Sequence, residues 1–77
     1  MSKMSARARA RAEKKKMCRD HKGYREEHKQ LIRVHLFGAK GALVANRKAD
    51  YNNHMRIVKQ TKKELSAIRN FLKLQGC

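Results

Sequence analysis

The sequence predicts an all-α fold, a long antiparallel two-helix hairpin that follows a basic N-terminal arm. Two segments repeat apolar residues at spacings of three and four, which is the period of a helix. Turn-forming residues separate these segments, and the chain contains no proline. With 77 residues the chain is one small domain at most. We therefore divide it into a basic arm, residues 1–22, and a two-helix hairpin, residues 23–77.

The predicted arm is dense in positive charge. Nine of its residues are basic, and only Glu13 and Asp20 are acidic. It has few bulky apolar side chains, so burial alone could not offset the chain entropy lost on ordering. We expect it to be ordered against a polyanion such as RNA, and a solvated tail is the alternative. The sequence leaves open whether the arm is helical.

The first predicted helix runs from about Gly23 to Ala49 and has two apolar sides. One side consists mostly of small residues: Leu31, Val34, Gly38, Gly41 or Ala42, and Ala45. The other side carries larger residues: Ile32, Leu36, Ala39 and Leu43. A single partner helix cannot cover both sides, so we expect the second to meet another protein or folded RNA. Gly38 and Gly41 either break the helix or permit a close approach of backbones.

The second predicted helix starts near His54, after turn-forming residues at 50–53 that can cap it. Its apolar positions alternate by three and four, as in a helix that packs lengthwise on another. They are Val58, Thr61, Leu65, Ile68 and Leu72. Gly76 suits a C-terminal cap. At about 100° per residue, the basic residues opposite this seam are Arg56, Lys59 and Lys63, and those on its nearer flank are Lys62, Arg69 and Lys73.

The charge balance indicates the class of partner. The chain carries 21 Lys or Arg against 6 Asp or Glu, a formal net charge of +15. An anionic partner would relieve this repulsion, and nucleic acid is the first candidate. The apolar runs are far shorter than the about 18 residues that span a bilayer, which excludes a transmembrane protein. A hairpin of this length offers no sheltered catalytic site, so we predict no enzyme, no cofactor and no small-molecule substrate.

The cysteines and histidines show no recognised disulfide or zinc motif. Cys18 and Cys77 stand far apart without a Cys-x-x-Cys pair, which predicts free thiols and a reducing compartment. His21, His28 and His35 recur every seven residues, and a metal site is conceivable there. Because these residues spread over several turns, we favour a polar stripe whose imidazoles face phosphates or water. No metal ligand is therefore predicted.

Two groups of basic side chains are predicted to contact phosphates. On the second helix only Glu64 opposes the basic residues, so salt bridges cannot account for them. Aromatic residues are few, which favours structured, double-helical RNA recognised by backbone and shape. The predicted RNA-binding residues are Arg7, Arg9, Arg11, Lys14, Lys15, Lys16 and Arg19 in the arm, and Arg56, Lys59, Lys62, Lys63 and Arg69 in the second helix.

The segment from residue 56 to residue 72, RIVKQTKKELSAIRNFL, is similar to the second helix of the universal large-subunit ribosomal protein twenty-nine family. That family shows a basic residue, then a basic pair followed by an acid and an aliphatic residue, and a further aliphatic–basic step. The matching positions here are Lys59, Lys62, Lys63, Glu64, Leu65, Ile68 and Arg69. The resemblance implies a two-helix hairpin bound to large-subunit rRNA near the peptide tunnel exit, beside large-subunit protein twenty-three.

The expected function is therefore that of a structural constituent of the large ribosomal subunit, a ribonucleoprotein component in translation. The arm exceeds the compact bacterial form, and the basic C-terminal extension of the eukaryotic cytosolic form is missing. Both features favour a mitochondrial ribosome over a cytoplasmic one, with no membrane partner. The alternatives are a small basic accessory subunit or amphipathic helix on an acidic membrane surface, and a DNA-binding helix-turn-helix that lacks its third helix.

Overall fold

The computed structural model describes residues 5–77, and the first four residues of the predicted arm lie outside this range. Two helices, α1 (Ala6–Val44) and α2 (Lys48–Leu74), pack antiparallel over most of their length. The described part of the chain contains no strand and measures 66 × 23 × 13 Å. The predicted all-α two-helix hairpin is confirmed.

α1 begins well before the predicted start near Gly23. The hydroxyl of Ser5 accepts a hydrogen bond from the backbone N–H of Ala8 at 3.1 Å and caps the helix. α1 then continues without interruption through all three of its glycines. Residues 6–22 of the predicted arm are therefore helical, and neither Gly38 nor Gly41 breaks the helix.

The turn between the helices occupies residues 45–47. Asn46 has a φ of 58°, a left-handed conformation that asparagine tolerates better than most residues. The N–H of Arg47 donates to the carbonyl of Ala42 at 2.8 Å, and that of Asn46 donates to Leu43 at 3.1 Å. These two hydrogen bonds form a Schellman motif, which satisfies the last carbonyls of α1 and reverses the chain.

α2 starts immediately after this turn, so its predicted start near His54 is wrong. Residues 50–53 are helical and do not form the turn or the cap. Asp50 lies instead in the first turn of α2, where its carboxylate favours the positive end of the helix and lies 3.8 Å from Arg47. The prediction missed Asn46, whose left-handed conformation ends α1 one helical turn earlier.

The C-terminal cap was predicted correctly. Gly76 has a φ of 71°, and its N–H donates to the carbonyl of Lys73 at 3.2 Å. The N–H of Cys77 donates to Leu72 at 2.9 Å. This second Schellman motif places Cys77 beside α1.

The seam between the helices alternates by three and four along both of them, as in a coiled coil. On α2 the predicted seam is confirmed, because Val58, Thr61, Leu65 and Leu72 are buried and Ile68 is half-buried. On α1 the buried and half-buried positions that follow the same spacing are Cys18, His21, Arg25, His28, Ile32, His35, Ala39 and Ala42. The α1 side of the seam is thus largely polar or small.

The predicted apolar sides of α1 are largely wrong. Leu31 and Val34 were placed on the packed side, yet they are 45% and 53% exposed. Ile32 and Ala39 face α2 rather than a separate protein or RNA, whereas the two leucines predicted beside them remain exposed. The histidines of α1 occupy seam positions, so the spacing of apolar residues alone indicates the wrong face of this helix.

Gly38 allows the two helices to approach closely. A Cβ atom at this position would lie 2.7 Å from Cε1 of His54, well inside van der Waals contact. A Cβ at Gly41 would meet nothing within 4 Å. Close approach is therefore the role of Gly38, and no packing contact requires glycine at position 41.

Candidate nucleic-acid interface

Residues 6–17 of α1, which we call the N-terminal extension, project beyond the end of α2. Cys18 lies opposite Cys77, with their Cα atoms 5.7 Å apart, so the residues before Cys18 have no α2 residue beside them. At about 1.5 Å per residue the extension is about 18 Å long. Its predicted RNA-binding side chains are all exposed: Arg7, Arg9, Arg11, Lys14, Lys15 and Lys16. At about 100° per residue they form two groups on roughly opposite sides of the helix, with Arg7, Arg11, Lys14 and Lys15 on one side and Arg9 and Lys16 on the other.

A basic groove of about 610 Å³ lies where the N-terminal extension meets the end of α2. Its lining is Arg11, Lys14, Lys15, Cys18, Arg19, Lys22, Gly76 and Cys77. Five of these residues are cationic and none is acidic. Fixed charges of one sign around a concave surface raise the local concentration of anions. The groove is therefore a candidate site for phosphate.

The groove also contains a disulfide between Cys18 and Cys77, which contradicts the prediction of free thiols. The two residues are 59 positions apart in sequence, but the antiparallel hairpin places its two ends opposite each other. Sequence motifs for disulfides detect short spacings and do not detect this arrangement. The reducing compartment that was inferred from free thiols loses its basis.

α2 presents a second basic surface, which we call the α2 basic face. The five predicted residues there are exposed: Arg56, Lys59, Lys62, Lys63 and Arg69. Among residues 5–77, none of them forms an ion pair. Glu64, the acidic residue that follows Lys63, is turned towards α1, where its Oε2 lies 3.0 Å from Nε2 of His28. The positive charges of this face are therefore available to a partner.

Two acidic side chains, Glu26 and Asp50, pair with cations outside these basic surfaces. Glu26 lies 3.2 Å from Nζ of Lys29 and 3.3 Å from Nε of Arg25. The hydrogen bond and charge of Lys29 lower the pKa of Glu26 below its ordinary value of 4.5, and Arg25 contributes less. Asp50 is paired with Arg47 at 3.8 Å. These contacts leave the predicted RNA-binding residues in the described range without ion pairs.

The histidines of α1 lie in the seam and do not form a stripe that faces phosphate or water. His21 stacks on Phe71 with ring centroids 4.3 Å apart, and His28 contacts a glutamate of α2. The Nδ1 atoms of His35 and His54 lie 2.9 Å apart across the helices. The seven-residue spacing of the histidines was the signal for a seam position. Within residues 5–77, no three His, Cys, Asp or Glu side chains cluster in a way that could hold a metal.

The structure distributes the predicted RNA-binding residues over three places. The basic groove brings together Arg11, Lys14, Lys15 and Arg19. Other positions on the N-terminal extension are occupied by Arg7, Arg9 and Lys16. The remaining five form the α2 basic face. Sequence reasoning missed Lys22, which lines the groove because it follows Arg19 by three residues and so lies one helical turn further along.

Comparisons with protein-family profiles, curated proteins and solved structures found no match to this chain. Neither helix of the described range combines the length and the apolar character needed to cross a membrane. The charge and geometry of the described residues, together with the resemblance of residues 56–72, are the basis for a functional proposal.

Proposed function

We propose that this protein is a structural constituent of the large ribosomal subunit, where it binds rRNA through phosphate contacts. The observation that carries the proposal is the pair of exposed basic surfaces without ion pairs. RNA supplies a dense array of fixed negative charge, and phosphate contacts supply most of the affinity of such complexes. The resemblance of residues 56–72 supports a ribosomal location near the tunnel exit, with large-subunit protein twenty-three as a neighbour. On the same resemblance, the ribosome is mitochondrial, with a cytoplasmic one as the alternative.

The N-terminal extension supports a folded RNA over a flat anionic surface. Its cations lie on two roughly opposite sides of the helix, so a flat partner would leave part of this charge unused. A helix of this length without packing is also marginal in water, and its like charges repel one another. Phosphates on several sides would remove this repulsion and stabilise the helix. Insertion between RNA helices provides that environment.

The α2 basic face supports recognition of backbone and shape. Lysine and arginine side chains on an exposed helix can follow a line of phosphates without reading bases. Aromatic residues make up 5% of the chain, and Phe71 is already stacked on His21 within the hairpin. Few rings therefore remain to stack on unpaired bases. Double-helical rRNA is the partner that this composition favours.

A second candidate function is that of a small basic accessory subunit on an acidic membrane surface. Val34, Phe37 and Val44 lie on the outer side of α1 and are 53%, 80% and 83% exposed. Lys40 lies beside Phe37 and Val44, so this side combines apolar groups with a cation, as interfacial helices do. We favour rRNA because the N-terminal extension, the basic groove and the α2 basic face carry most of the cations and contain none of these three apolar residues.

Sedimentation of the tagged full-length protein tests the main proposal. Lysates of whole cells and of mitochondria are run through density gradients, with an RNase-treated sample in parallel. We expect the protein to migrate with the large ribosomal subunit and to leave that fraction after RNase treatment. Migration that is indifferent to RNase would refute the proposal. The lysate that gives the ribosomal signal identifies the compartment.

A pair of charge-reversal variants tests the α2 basic face. Lys62→Glu with Lys63→Glu should lower occupancy of the large subunit at least about tenfold, because two attractions to phosphate become repulsions. Arg33→Glu with Lys40→Glu makes the same change in net charge outside both basic surfaces and should have a much smaller effect. Equal losses from the two pairs would mean that net charge, and not this face, determines binding.

Vesicle flotation tests the second candidate. Vesicles of phosphatidylcholine with and without phosphatidylserine are mixed with the purified protein at physiological salt. The membrane candidate requires flotation with the acidic vesicles that is lost in Phe37→Asp. The ribosomal proposal predicts that Phe37→Asp leaves ribosome occupancy unchanged.

A further inference from the structure

The disulfide in the basic groove is accessible and is surrounded by cations. Cys77 is exposed and Cys18 is half-buried. Both cysteines line the groove, together with five basic side chains and no acidic one. Gly76 is close to the same cluster, since a Cβ there would lie 3.8 Å from Nζ of Lys14. A small anion drawn into this groove would meet the sulfur atoms.

We propose that the Cys18–Cys77 disulfide is a redox-active site whose reaction partner is a small anionic thiol, one that carries carboxylate or sulfonate groups. Cations steer an anionic reagent into the groove and raise its local concentration. They also stabilise the thiolate that leaves when the disulfide opens, and a better leaving group speeds exchange. The charge and the position of the disulfide therefore favour the same class of reagent. This inference does not depend on the proposed ribosomal function.

The exchange proceeds in two steps. The thiolate of the reagent attacks Sγ of Cys77, the more exposed residue of the pair, and the S–S bond breaks. Cys18 leaves as a thiolate and takes a proton from solvent, and Cys77 carries a mixed disulfide with the reagent. A second reagent thiolate attacks the sulfur of the reagent in that mixed disulfide. Cys77 is released as a thiol after protonation, and the two reagent molecules leave as their own disulfide, having supplied two electrons.

Reduction also changes the groove itself. Part of the groove wall is formed by Gly76 and Cys77, which follow the last residue of α2. Without the disulfide, this turn is held to α1 by the packing of Leu72 and the stack of Phe71 on His21. Leu74, which is 84% exposed, adds little. The disulfide therefore adds a covalent link between this turn and α1, and reduction removes that link beside the anion site.

The rates of reduction by three thiols test the proposal. Oxidised full-length protein is reacted with 2-mercaptoethanesulfonate, 2-mercaptoethanol and cysteamine, which are anionic, neutral and cationic. Each rate constant is corrected for the thiolate fraction of the reagent. At low salt we expect the anionic thiol to react about tenfold faster than the neutral one and the cationic thiol to be slowest. The preference should shrink as salt screens the groove.

Two triple variants test whether the cations of the groove cause the preference for the anionic thiol. Lys15→Gln, Arg19→Gln and Lys22→Gln remove three charges from the groove and should abolish most of the preference for the anionic thiol. Arg33→Gln, Lys40→Gln and Lys48→Gln remove three exposed charges elsewhere and should keep it. Equal corrected rates for all three thiols, or the same loss in both triple variants, would overturn the proposal. Free thiols in the air-oxidised protein, detected by mass spectrometry and by thiol titration, would also overturn the proposal.

Titration of the oxidised protein with duplex RNA separates this site from the ribosomal proposal. RNA that occupies the groove should slow reduction by the anionic thiol. If the thiol preference holds but the protein fails to migrate with ribosomes, the redox site remains and only the proposed function fails. If ribosome migration holds without a thiol preference, the redox proposal alone fails.

Discussion

Replacement of Gly38 and Gly41 by alanine tests the closest approach between the two helices. Both glycines lie inside α1, so alanine removes the helix-propensity cost of glycine at each, about 1 kcal/mol. Their surroundings differ. A Cβ at Gly41 meets nothing within 4 Å, whereas a Cβ at Gly38 would lie 2.7 Å from Cε1 and 2.9 Å from Nε2 of His54. Both variants therefore gain helix propensity, and only Gly38→Ala brings a Cβ atom against the ring of His54.

The geometry sets the expected magnitudes. Gly41→Ala should stabilise the hairpin by about 1 kcal/mol. In Gly38→Ala the ring of His54 must turn away and lose its contact with Nδ1 of His35, which costs about 0.5–1.5 kcal/mol. A strained rotamer adds about 0.5–1.5 kcal/mol. The net effect of Gly38→Ala on the free energy of unfolding should then range from zero to a loss of about 2 kcal/mol. The Gly38→Ala variant should be about 1–3 kcal/mol less stable than the Gly41→Ala variant.

Thermal unfolding followed by circular dichroism, with the disulfide intact, measures this difference. For a chain of this size 1 kcal/mol corresponds to about 4–8 °C in Tm. In a His54→Ala background, Gly38→Ala should recover its gain of about 1 kcal/mol, because the clashing ring is gone. The reasoning fails if Gly38→Ala stabilises the wild-type protein as much as Gly41→Ala does.

Three further predictions concern the seam, the disulfide and one carboxylate. Leu65→Asp buries a charge and should destabilise the hairpin by about 3 kcal/mol or more, whereas Leu74→Asp at an exposed position should change stability by less than about 0.5 kcal/mol. Urea unfolding measures both variants. Similar losses of stability would contradict the placement of Leu65 in the seam. Reduction of the disulfide should lower stability by up to about 4 kcal/mol, since the cross-link closes a long loop, and an unchanged urea midpoint with reductant would contradict this. Glu26 should titrate below 4.5 by NMR, and Lys29→Ala should raise its pKa. Because the folded pKa is the lower one, any stabilisation is present above the unfolded pKa and is lost as pH falls through the folded value. A pKa of Glu26 that Lys29→Ala leaves unchanged would show that the pair does not form.

The sequence was sufficient for the fold class and for one side of the seam. α2 repeats Val58, Thr61, Leu65 and Leu72 at seam spacing, and these residues are buried as predicted. On α1 most seam positions hold histidine, arginine or alanine, and Ile32 is the one large aliphatic residue among them, so apolar periodicity pointed to the exposed side. Each histidine is accommodated by a specific partner on α2, such as Phe71 for His21. Such partners become visible only when the two helices are aligned.

The exposure of the predicted cations could be anticipated from the sequence, but the shape of the candidate site could not. The exposure of the N-terminal and α2 cations follows from their spacing along a helix. The basic groove does not follow from helical spacing, because its shape depends on where α2 ends relative to α1. That relative position is set by the turn at Asn46 and by the cap at Gly76, which together place Cys77 against Cys18. Recognition of Asn46 as the helix end would have aligned the two cysteines and revealed the groove.

The distribution of apolar side chains indicates what maintains this hairpin. Among the described residues, the buried apolar side chains are few and the α1 contribution to them is Ala39 and Ala42. Larger groups such as Phe37 and Val44 remain outside, so hydrophobic burial is small for a chain with a net charge of +15. Two other sources of stability act at the open end of the hairpin. The disulfide restricts the unfolded chain, and a polyanion bound as proposed would favour the folded state by mass action while it neutralises the charge. Both would act at the end of the hairpin that contains the basic groove, so on the two proposals a change of redox state there should alter anion binding and stability together.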